Sequence, residues 1–423
     1  MEQFAAFVAI DWSDAKHGIC LRDVATGKKE SGILKHTPEE LEAWATALRN
    51  RFAGQPIAVC LEQSRGPLIY ALLKHEFLVL YPINPATLAK YREAFSPSRA
   101  KDDPRDVEYM LELLLQHRDR LKAWRPENAK TRTLQYLVEH RRRLVNDRTR
   151  ISNRMTALLK AYFPQVLQWF GDIRTLLVCD LLLCWPTLEA IQKVRPSTLE
   201  KFFHAHNSVR KETLAHRMAA IKAAVPLTTD QAVMHASVLM VKALATQMKT
   251  TIEAIHAFDH EIEKLCRTHQ DDHLFASRPG AGPVYAARLT AAMGTARDRW
   301  TTVEELLCFS GVAPVMERSG KSTWIRWRYF WPKFLRQSFH EYAGESIHHS
   351  FWAKAYYMSQ RARGKSHQAA VRALAFKWIR IIYKCWQTHT PYSEARYLEN
   401  LRRKSSPLLA FAANNPSQKL NIS

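Results

Sequence analysis

Four carboxylates at three places in the sequence have the type and spacing that divalent-metal chemistry requires. Asp11 ends the apolar segment FAAFVAID, and Glu62 ends the apolar segment PIAVCLE. Asp103 and Asp106 lie three residues apart, so on a helix they would share one face. Carboxylate oxygens suit Mg²⁺ or Mn²⁺, and two such ions can hold both the attacking and the leaving oxygen of a phosphodiester. The set therefore predicts a metal site that acts on phosphodiester bonds.

Each of these acids also has a structural interpretation. Asp103, Pro104 and Asp106 form a good helix start, with Asp103 as the N-cap and Asp106 as the capping acid of the first turn. Asp11 is also suited to a turn. The set as a whole favours the metal site, because close carboxylates repel one another unless a metal ion or a proton lies between them.

The hydroxyl of Ser319 lies between a cation and a glycine in the segment APVMERSGKST. The Gly-Lys-Ser that follows resembles the end of a nucleotide-binding P-loop, but Val315 occupies the position of that motif's first glycine, so we exclude a P-loop. A serine becomes a nucleophile when a base or metal activates it and cations stabilise the developing charge. Arg318 and Lys321 flank Ser319, and we expect them to hold a phosphate there. A polar surface turn is the alternative.

The composition favours a polyanionic partner. The chain has 423 residues, with 62 Lys and Arg against 40 Asp and Glu, and a formal net charge of +22. Such an excess is typical of proteins that bind nucleic acid. The seven cysteines are scattered without a C-x-x-C pair, which argues against a zinc site or a disulfide framework. Because no segment has the pattern of a secretory signal or a membrane span, we expect a cytosolic protein without a membrane partner.

The first part of the chain predicts an α/β domain. The segments FAAFVAID, HGICLRD and KESGILK are typical of neighbouring strands. Two further strands, PIAVCLE and FLVLYPI, alternate with helices such as TPEELEAWATALRNRF. This order predicts a mixed sheet flanked by helices, within a domain that spans residues 1–164.

The end of that domain carries a basic helix. Residues 118–164 have a helical pattern, with eight Lys or Arg and two acids between residues 130 and 154. An apolar stripe would pack on one side of this helix, which leaves a basic face on the other. We expect the basic face to contact nucleic acid, and a solvated helix surface is the alternative. The candidate contact residues are Arg141, Arg142, Arg143, Arg150 and Arg154.

The remainder of the chain predicts an all-α region. Residues 165–270 form a helical linker, in which the spacing over residues 231–269 fits either a coiled coil or an ordinary core helix. The part from 166 to 236 has no assigned role. Residues 271–400 form a second helical domain, in which LFASRPGAGPVYAARLTAAMG is either a helix-hairpin-helix that grips the DNA backbone or a plain helical hairpin. Residues 401–423 are expected to be a disordered tail.

Six segments, in this order, give the chain a family resemblance. They are VAIDWSDAKHG, CLEQSRGPL, KDDPRDVEYM, YLVEHRRRLVNDRTRISNRMTALL, RPGAGPVYAARLTAAMG and FSGVAPVMERSGKST. Together they span most of the chain and resemble the DEDD-type transposases of insertion-sequence family 110, the RNA-guided bridge recombinases. The most specific features are the Lys-x-Asp-x-x-Asp element and the occurrence of the acid set together with the Ser-Gly motif.

The resemblance implies an RNase H-type, RuvC-like N-terminal domain and a mainly helical C-terminal transposase domain that bears a serine. The resemblance assigns the four acid roles, with Mg²⁺ or Mn²⁺ as cofactor, to Asp11, Glu62, Asp103 and Asp106. It assigns the role of nucleophile to Ser319. The sequence departs from the family at two positions. Asp102 replaces a small polar residue and competes with Asp103 as the ligand, and Val107 stands where the family often has alanine.

The resemblance also implies partners and a location. The family acts on donor and target DNA in the bacterial cytosol or nucleoid, as homodimers that assemble into tetramers, guided by a structured noncoding RNA that the element encodes. The leading hypothesis is therefore a DNA transposase or recombinase that cuts and rejoins DNA through a serine–DNA covalent link. One alternative is a metal-dependent, structure-specific nuclease, such as a junction resolvase, that uses water. The other is a nucleic-acid-binding scaffold without catalytic activity.

Overall fold

The computed structural model describes residues 3–62, 66–95, 103–320, 322–326, 328 and 331–413. The chain divides into two compact units, an N-terminal unit, Met1–Pro126, and a C-terminal unit, Glu127–Ser423. The predicted domain boundaries after residues 164, 270 and 400 do not coincide with this division and stay predictions.

The N-terminal unit is built on a five-stranded mixed sheet with the strand order β3-β2-β1-β4-β5. Strands β1, β4 and β5 are parallel, whereas β2 is antiparallel to both β1 and β3. The mixed α/β sheet predicted from the sequence is thus confirmed. The strands are β1 (Ala6–Asp11), β2 (Lys16–Asp23), β3 (Lys29–Lys35), β4 (Ile57–Leu61) and β5 (Leu78–Pro82).

Helices cover both faces of this sheet because the strand residues alternate between two apolar cores. Val8 and Ile10 of β1 belong to one core, while Ala9 belongs to the other. Strand β4 is buried at every position, as expected for a central parallel strand. The helices are α1 (Pro38–Arg51), α2 (Pro67–Leu72), α3 (Pro85–Phe95) and α4 (Asp103–His117), followed by a short 3₁₀ turn at Arg118–Arg120.

The C-terminal unit is mainly helical and carries one exposed hairpin among its described residues. None of the helices in the described part of the chain combines the length and the apolar character needed to cross a membrane. The α-helices and strands described in the C-terminal unit are α5 (Ala129–Tyr162), α6 (Gln165–Trp169), α7 (Leu176–Cys184), α8 (Leu188–Gln192), α9 (Pro196–Ala205), α10 (Lys211–Ala223), α11 (Gln231–Cys266), α12 (Asp272–Ala276), α13 (Gly282–Met293), α14 (Val303–Phe309), β6 (Val315–Ser319), β7 (Ser322–Arg326), α15 (Lys333–Ser346), α16 (Phe351–Ala362), α17 (His367–Gln387), α18 (Glu394–Arg403) and α19 (Pro407–Ala413).

The two long helices α5 and α11 pack against each other, with the start of α5 beside the end of α11. Lys130, near the start of α5, donates to the carbonyl of Thr268 just after α11, at 2.8 Å. The buried side chains of α11 recur every three or four residues, and Asp259, which interrupts that stripe, forms an ion pair with Arg141 of α5. Other helices of the same chain therefore cover the apolar stripe of α11, as in a core helix. The coiled coil stays a prediction.

Residues 166–236, which had no assigned role, form a compact group of short helices, α6 to α10. Their apolar side chains share one core with the second half of α5 and the first half of α11. At its edge, Asp180 accepts from Lys249 at 2.7 Å and lies 2.9 Å from Nε2 of His206. The segment is thus a packed helical subdomain rather than a plain linker.

The predicted disordered tail, residues 401–423, is wrong for its first part. Helix α18 continues to Arg403, and α19 follows from Pro407 to Ala413. The hydroxyl of Ser406 accepts from the N–H of Leu408, whose side chain packs on the main C-terminal core. Leu408, Leu409 and Phe411 are half-buried, and the removal of their apolar surface from water favours helix over a disordered tail. Residues 414–423 lie outside the described residues.

Candidate active site

Asp11 and Glu62 occupy neighbouring positions at one edge of the N-terminal sheet. In the parallel pairing of β1 and β4, Ile10 lies opposite Leu61. Asp11 and Glu62 are the next residues on the two strands, so both lie at the carboxyl ends, and each is half-buried. Ligands of α/β sheets bind at such strand ends, where the backbone is fixed and the loops leave room. The register therefore brings together two of the predicted acids.

The first turn of α4 lies beside the same edge. Gly18 of β2 is the register partner of Asp11, and a Cβ placed on Gly18 would lie 3.0 Å from Cγ2 of Val107. The valine that departs from the family pattern is thus accommodated by a glycine across from it. Asp106 precedes Val107 and is buried at 5% exposure. Asp103 begins the helix, but its side chain lies outside the described part of the structure.

Arg92 is a residue at this site to which no sequence pattern pointed. From the last turn of α3, its Nη1 donates to both carboxylate oxygens of Asp106, at 2.8 Å and 2.7 Å. The hydrogen bond to Asp106, and also the charge of Glu62, raises the pKa of Arg92 above its ordinary value. The guanidinium of Arg92 therefore interacts with two of the predicted acids, Asp106 of α4 and Glu62, which follows β4.

Carboxylate oxygens, which the predicted acids provide, are the donor type that a hard divalent cation prefers. Within the described residues, no three His, Cys, Asp or Glu side chains lie close enough together to hold a metal ion. The side chain of Asp103 is not among them. The cationic Nη1 of Arg92 nevertheless occupies the position between the two Asp106 oxygens, which is where a bidentate cation binds a carboxylate. Asp11, Glu62, Asp103 and Asp106 therefore stay predicted ligands of such an ion.

Ser319 lies at the tip of an exposed two-stranded hairpin in the C-terminal unit. It ends β6 and pairs with Ser322, the first residue of β7. Gly320 in the connection has φ of +56°, as the favoured two-residue hairpin turns require. Lys321, predicted to hold a phosphate, lies outside the described residues. The structure therefore displays the Ser319 side chain to solvent on a defined strand end.

Strand alternation separates Arg318 from Ser319. Successive side chains of a strand point to opposite faces, and paired residues share a face. Ser319 shares its face with Ser322 and Glu317, whereas Arg318 lies on the other face together with Met316. Arg318 is next to Ser319 in the sequence, but its side chain lies on the opposite face of the hairpin, because side chains alternate between the two faces of a strand.

The base of the hairpin is held by a contact between Gly311 and Trp331. A Cβ placed on Gly311 would lie 2.6 Å from Cβ and Cγ of Trp331, and Gly311 has φ of +71°. The guanidinium of Arg336 lies 4.0 Å from the centroid of the Trp331 ring, in a cation–π contact. These contacts fix where the chain leaves α14 and where it enters α15.

Gly311→Ala should therefore destabilise the C-terminal unit and misplace the hairpin. The left-handed backbone costs an alanine roughly 1–2 kcal/mol, and the steric overlap adds about 1–3 kcal/mol. Chemical denaturation measures the loss in free energy of unfolding. Gly171→Ala is the matched control, since an added Cβ there meets nothing within 4 Å. Equal stability of both variants would contradict the proposed role of the Gly311–Trp331 contact.

The five arginines of the predicted basic face do not share one environment. Arg141 pairs with Asp259 of α11, and Arg142 donates to Glu341 of α15 at 2.8 Å. Arg143, Arg150 and Arg154 are exposed, and Arg150 pairs with Asp147 on the same helix. Two of the five arginines thus pair with acids on other helices, Arg141 with α11 and Arg142 with α15.

The glycine turn before α13 lies between two helices, as the sequence predicted. Gly280 and Gly282 have φ of +73° and +52°, and α12 and α13 flank them as helix, tight turn and helix. A Cβ on Gly280 would lie 2.6 Å from the ring of His349, so this turn is also a close packing contact. Its use as a grip on the DNA backbone stays a prediction.

Two protein-family models match the chain. Residues 8–164 match the DEDD domain of the IS110 type, which is described as a transposase. Residues 272–358 match the model described as the transposase IS116/IS110/IS902 family. The first match contains the four predicted acids, and the second contains Ser319. The chain belongs to the IS110 family of transposases.

Individual relatives extend over nearly the whole chain. The chain is 26% identical to the "Mini-circle putative transposase for IS117" of Streptomyces coelicolor, over 97% of this chain and 99% of that protein. It is 27% identical to the "Insertion element IS116 uncharacterized 44.8 kDa protein" of Streptomyces clavuligerus, over 77% of this chain and 81% of that protein. The similarity therefore includes both units.

Proposed function

We propose that this protein is a DNA transposase that cuts and rejoins DNA through a covalent link to Ser319, assisted by Mg²⁺ or Mn²⁺ at the acid site. The observation that carries the proposal is the register of β1 and β4, which sets Asp11 beside Glu62 next to the start of α4. Neighbouring carboxylates repel one another, and a bound cation relieves that repulsion. Because the chain matches a transposase family, we infer that the substrate of this site is DNA.

At the acid site, Asp11, Glu62 and Asp106 would hold the cation, with either Asp103 or Asp102 as the fourth acid. A bound divalent ion would supply charge stabilisation to the phosphate oxygens. The protein's own part is to fix the carboxylates on rigid elements. Asp11 and Glu62 are fixed by strand pairing, and Asp106 by burial against the sheet. Rigid placement of this kind lowers the reorganisation that a reaction requires.

At the hairpin, the Ser319 Oγ–H would lose its proton and attack phosphorus. A bond from Oγ to phosphorus forms, one phosphorus–oxygen bond of the DNA backbone breaks, and the departing oxygen takes a proton. The reverse reaction with a hydroxyl from another DNA end rejoins the strands and frees Ser319. The number of phosphodiester bonds is conserved, so no energy source is needed. The exposed position of Ser319 at a hairpin tip supports this role.

The test is the detection of a covalent adduct. End-labelled DNA is incubated with the full-length protein, the element's noncoding RNA and Mg²⁺, and then run on a denaturing gel. A labelled band that migrates with the protein and disappears after protease treatment is expected. Cleaved DNA without any adduct would instead favour a nuclease with water as the nucleophile. Binding without cleavage would favour a scaffold.

The proposed partners are donor and target DNA, a structured guide RNA and further copies of the chain, as a homodimer that assembles into a tetramer. We place the activity in the bacterial cytoplasm or nucleoid. The net charge of +22 supports a nucleic-acid partner. The exposed Arg143, Arg150 and Arg154 of α5 are the residues of the basic face that we propose as phosphate contacts.

Replacing Arg143, Arg150 and Arg154 by glutamine is therefore expected to weaken nucleic-acid binding and its dependence on salt. Three lost phosphate contacts should reduce the slope of log affinity against log salt by about 2 to 3. Fluorescence anisotropy with labelled RNA and labelled DNA, from low to high salt, measures the slope. An unchanged slope for both ligands would mean that this surface of α5 contacts protein or solvent only.

A charge-matched control separates a local contact from a general loss of charge. Lys193, Lys201 and Lys211 are exposed on the short-helix subdomain. Their triple replacement by glutamine removes the same charge and should leave the slope close to that of the unmodified protein. Equal effects of the two triple variants would show that only net charge matters.

A further inference from the structure

The contact between Arg92 and Asp106 has an unusual form. Arginine and carboxylate groups often pair through two nitrogens and two oxygens. Here one nitrogen, Nη1, donates to both Asp106 oxygens, at 2.8 Å and 2.7 Å. A single positive group therefore lies midway between the two oxygens. This is the position that a cation takes when a carboxylate binds it with both oxygens.

The surroundings make this ion pair more than a surface contact. The side chain of Asp106 is 7% exposed and that of Arg92 is 20% exposed. Screening by water is weak at such burial, so each charge depends strongly on the other. The negative charge of Glu62 also acts on the guanidinium. Arg92 thus counters the charge of two acids from the proposed metal site.

We propose that Arg92 is an internal cation that competes with the divalent metal for Asp106. Binding of the metal in the chelating position requires Nη1 to leave, and departure of the guanidinium exposes both carboxylate oxygens. The competition keeps the buried Asp106 neutralised when no metal is bound and sets the metal concentration at which the site fills. The inference rests on the proposed metal site and adds a determinant of its metal affinity.

A supporting role for Arg92 makes the opposite prediction. Carboxylates that bind metals are frequently hydrogen-bonded by a neighbouring group, which orients them and strengthens binding. If Arg92 only oriented Asp106, its removal would weaken metal binding. If Arg92 competes, its removal frees the oxygens and also removes a positive charge from beside the metal. The sign of the change in affinity therefore decides between the two roles.

The experiment uses the full-length protein with Mn²⁺ alone, in the absence of nucleic acid. Electron paramagnetic resonance of free Mn²⁺ gives the dissociation constant. Arg92→Gln is expected to bind Mn²⁺ at least about tenfold more tightly than the unmodified protein. Arg92→Lys keeps a cation and should stay close to the unmodified value. Lys90→Gln removes an exposed charge from the same helix and should change the constant less than about twofold.

Thermal unfolding provides a second readout. Without metal, Arg92→Gln should melt at a lower temperature, since Asp106 loses its buried partner. With saturating Mn²⁺, its gain in melting temperature should exceed that of the unmodified protein, because tighter binding stabilises the folded state more. If Arg92→Gln does not fold, as judged by circular dichroism, Arg92→Met serves for the same measurements.

Three results separate this inference from the proposed function. Unchanged or weaker Mn²⁺ binding by Arg92→Gln overturns the competition and leaves the metal site intact. Absence of Mn²⁺ binding in every variant overturns the metal site and the competition with it. Loss of binding in Asp11→Asn, together with a gain in Arg92→Gln, supports both.

Discussion

Ser319→Ala is expected to abolish both the covalent protein–DNA adduct and every recombinant product. The substitution removes the only atom, Oγ, that can form the proposed bond to phosphorus. Ser319 is exposed at the end of β6 and supports no buried contact, so the fold and the binding of RNA and DNA should be unchanged. Denaturing electrophoresis of end-labelled DNA measures the adduct, and amplification across the new junction measures recombination.

Ser322→Ala is the most demanding control for this experiment. Ser322 lies directly opposite Ser319 on the same face of the hairpin, so its hydroxyl occupies a closely similar environment. We expect Ser322→Ala to form the adduct and to recombine DNA. An adduct that persists in Ser319→Ala but disappears in Ser322→Ala would assign the nucleophile to the other strand. Persistence in both single variants would exclude the hairpin serines as the sole nucleophile.

Asp11→Asn and Glu62→Gln should each reduce DNA cleavage by at least about 10³-fold, since charge stabilisation by a bound metal contributes several kcal/mol. Both substitutions keep the size of the side chain and remove its negative charge. Because the two residues lie side by side at the ends of β1 and β4, either change damages the same site. Cleavage rates in Mg²⁺ and in Mn²⁺ measure the loss, while RNA and DNA affinities should stay near those of the unmodified protein.

Asp14→Asn controls for the charge change at this sheet edge. Asp14 is exposed in the turn between β1 and β2, three residues after Asp11. Its substitution should leave cleavage within about twofold of the unmodified rate, as is usual for a surface position. Should Asp11→Asn or Glu62→Gln cleave DNA at a normal rate with a normal metal dependence, the shared metal site would be wrong.

The sequence alone determined much of the N-terminal architecture. Apolar runs and turn signals placed the strands, because hydrophobic periodicity and turn residues are local properties. The same local pattern put Asp11 and Glu62 at strand ends. It also found the glycine turn before α13, since positive φ angles restrict the choice of residue. Features that depend on neighbouring residues in the chain can therefore be predicted from the order of the amino acids.

Only the tertiary structure decided which side chains share a site. The register of β1 and β4 set Asp11 beside Glu62, and no local pattern encodes a pairing between residues 51 positions apart (62 − 11). Arg92 meets Asp106 only because α3 and α4 pack together. Arg141 and Arg142 have the pattern of a basic surface in the sequence, but α11 and α15 supply Asp259 and Glu341 as their partners.

The surroundings of the serine hairpin, and of the short helices between α5 and α11, were likewise decided only by the tertiary structure. Arg318 and Ser319 are neighbours in the sequence, but in strand β6 their side chains lie on opposite faces. The role of residues 166–236 follows from the common core that their apolar side chains form with α5 and α11. Burial is a property of surfaces that meet in space, and contacts distant in sequence decide which surfaces those are.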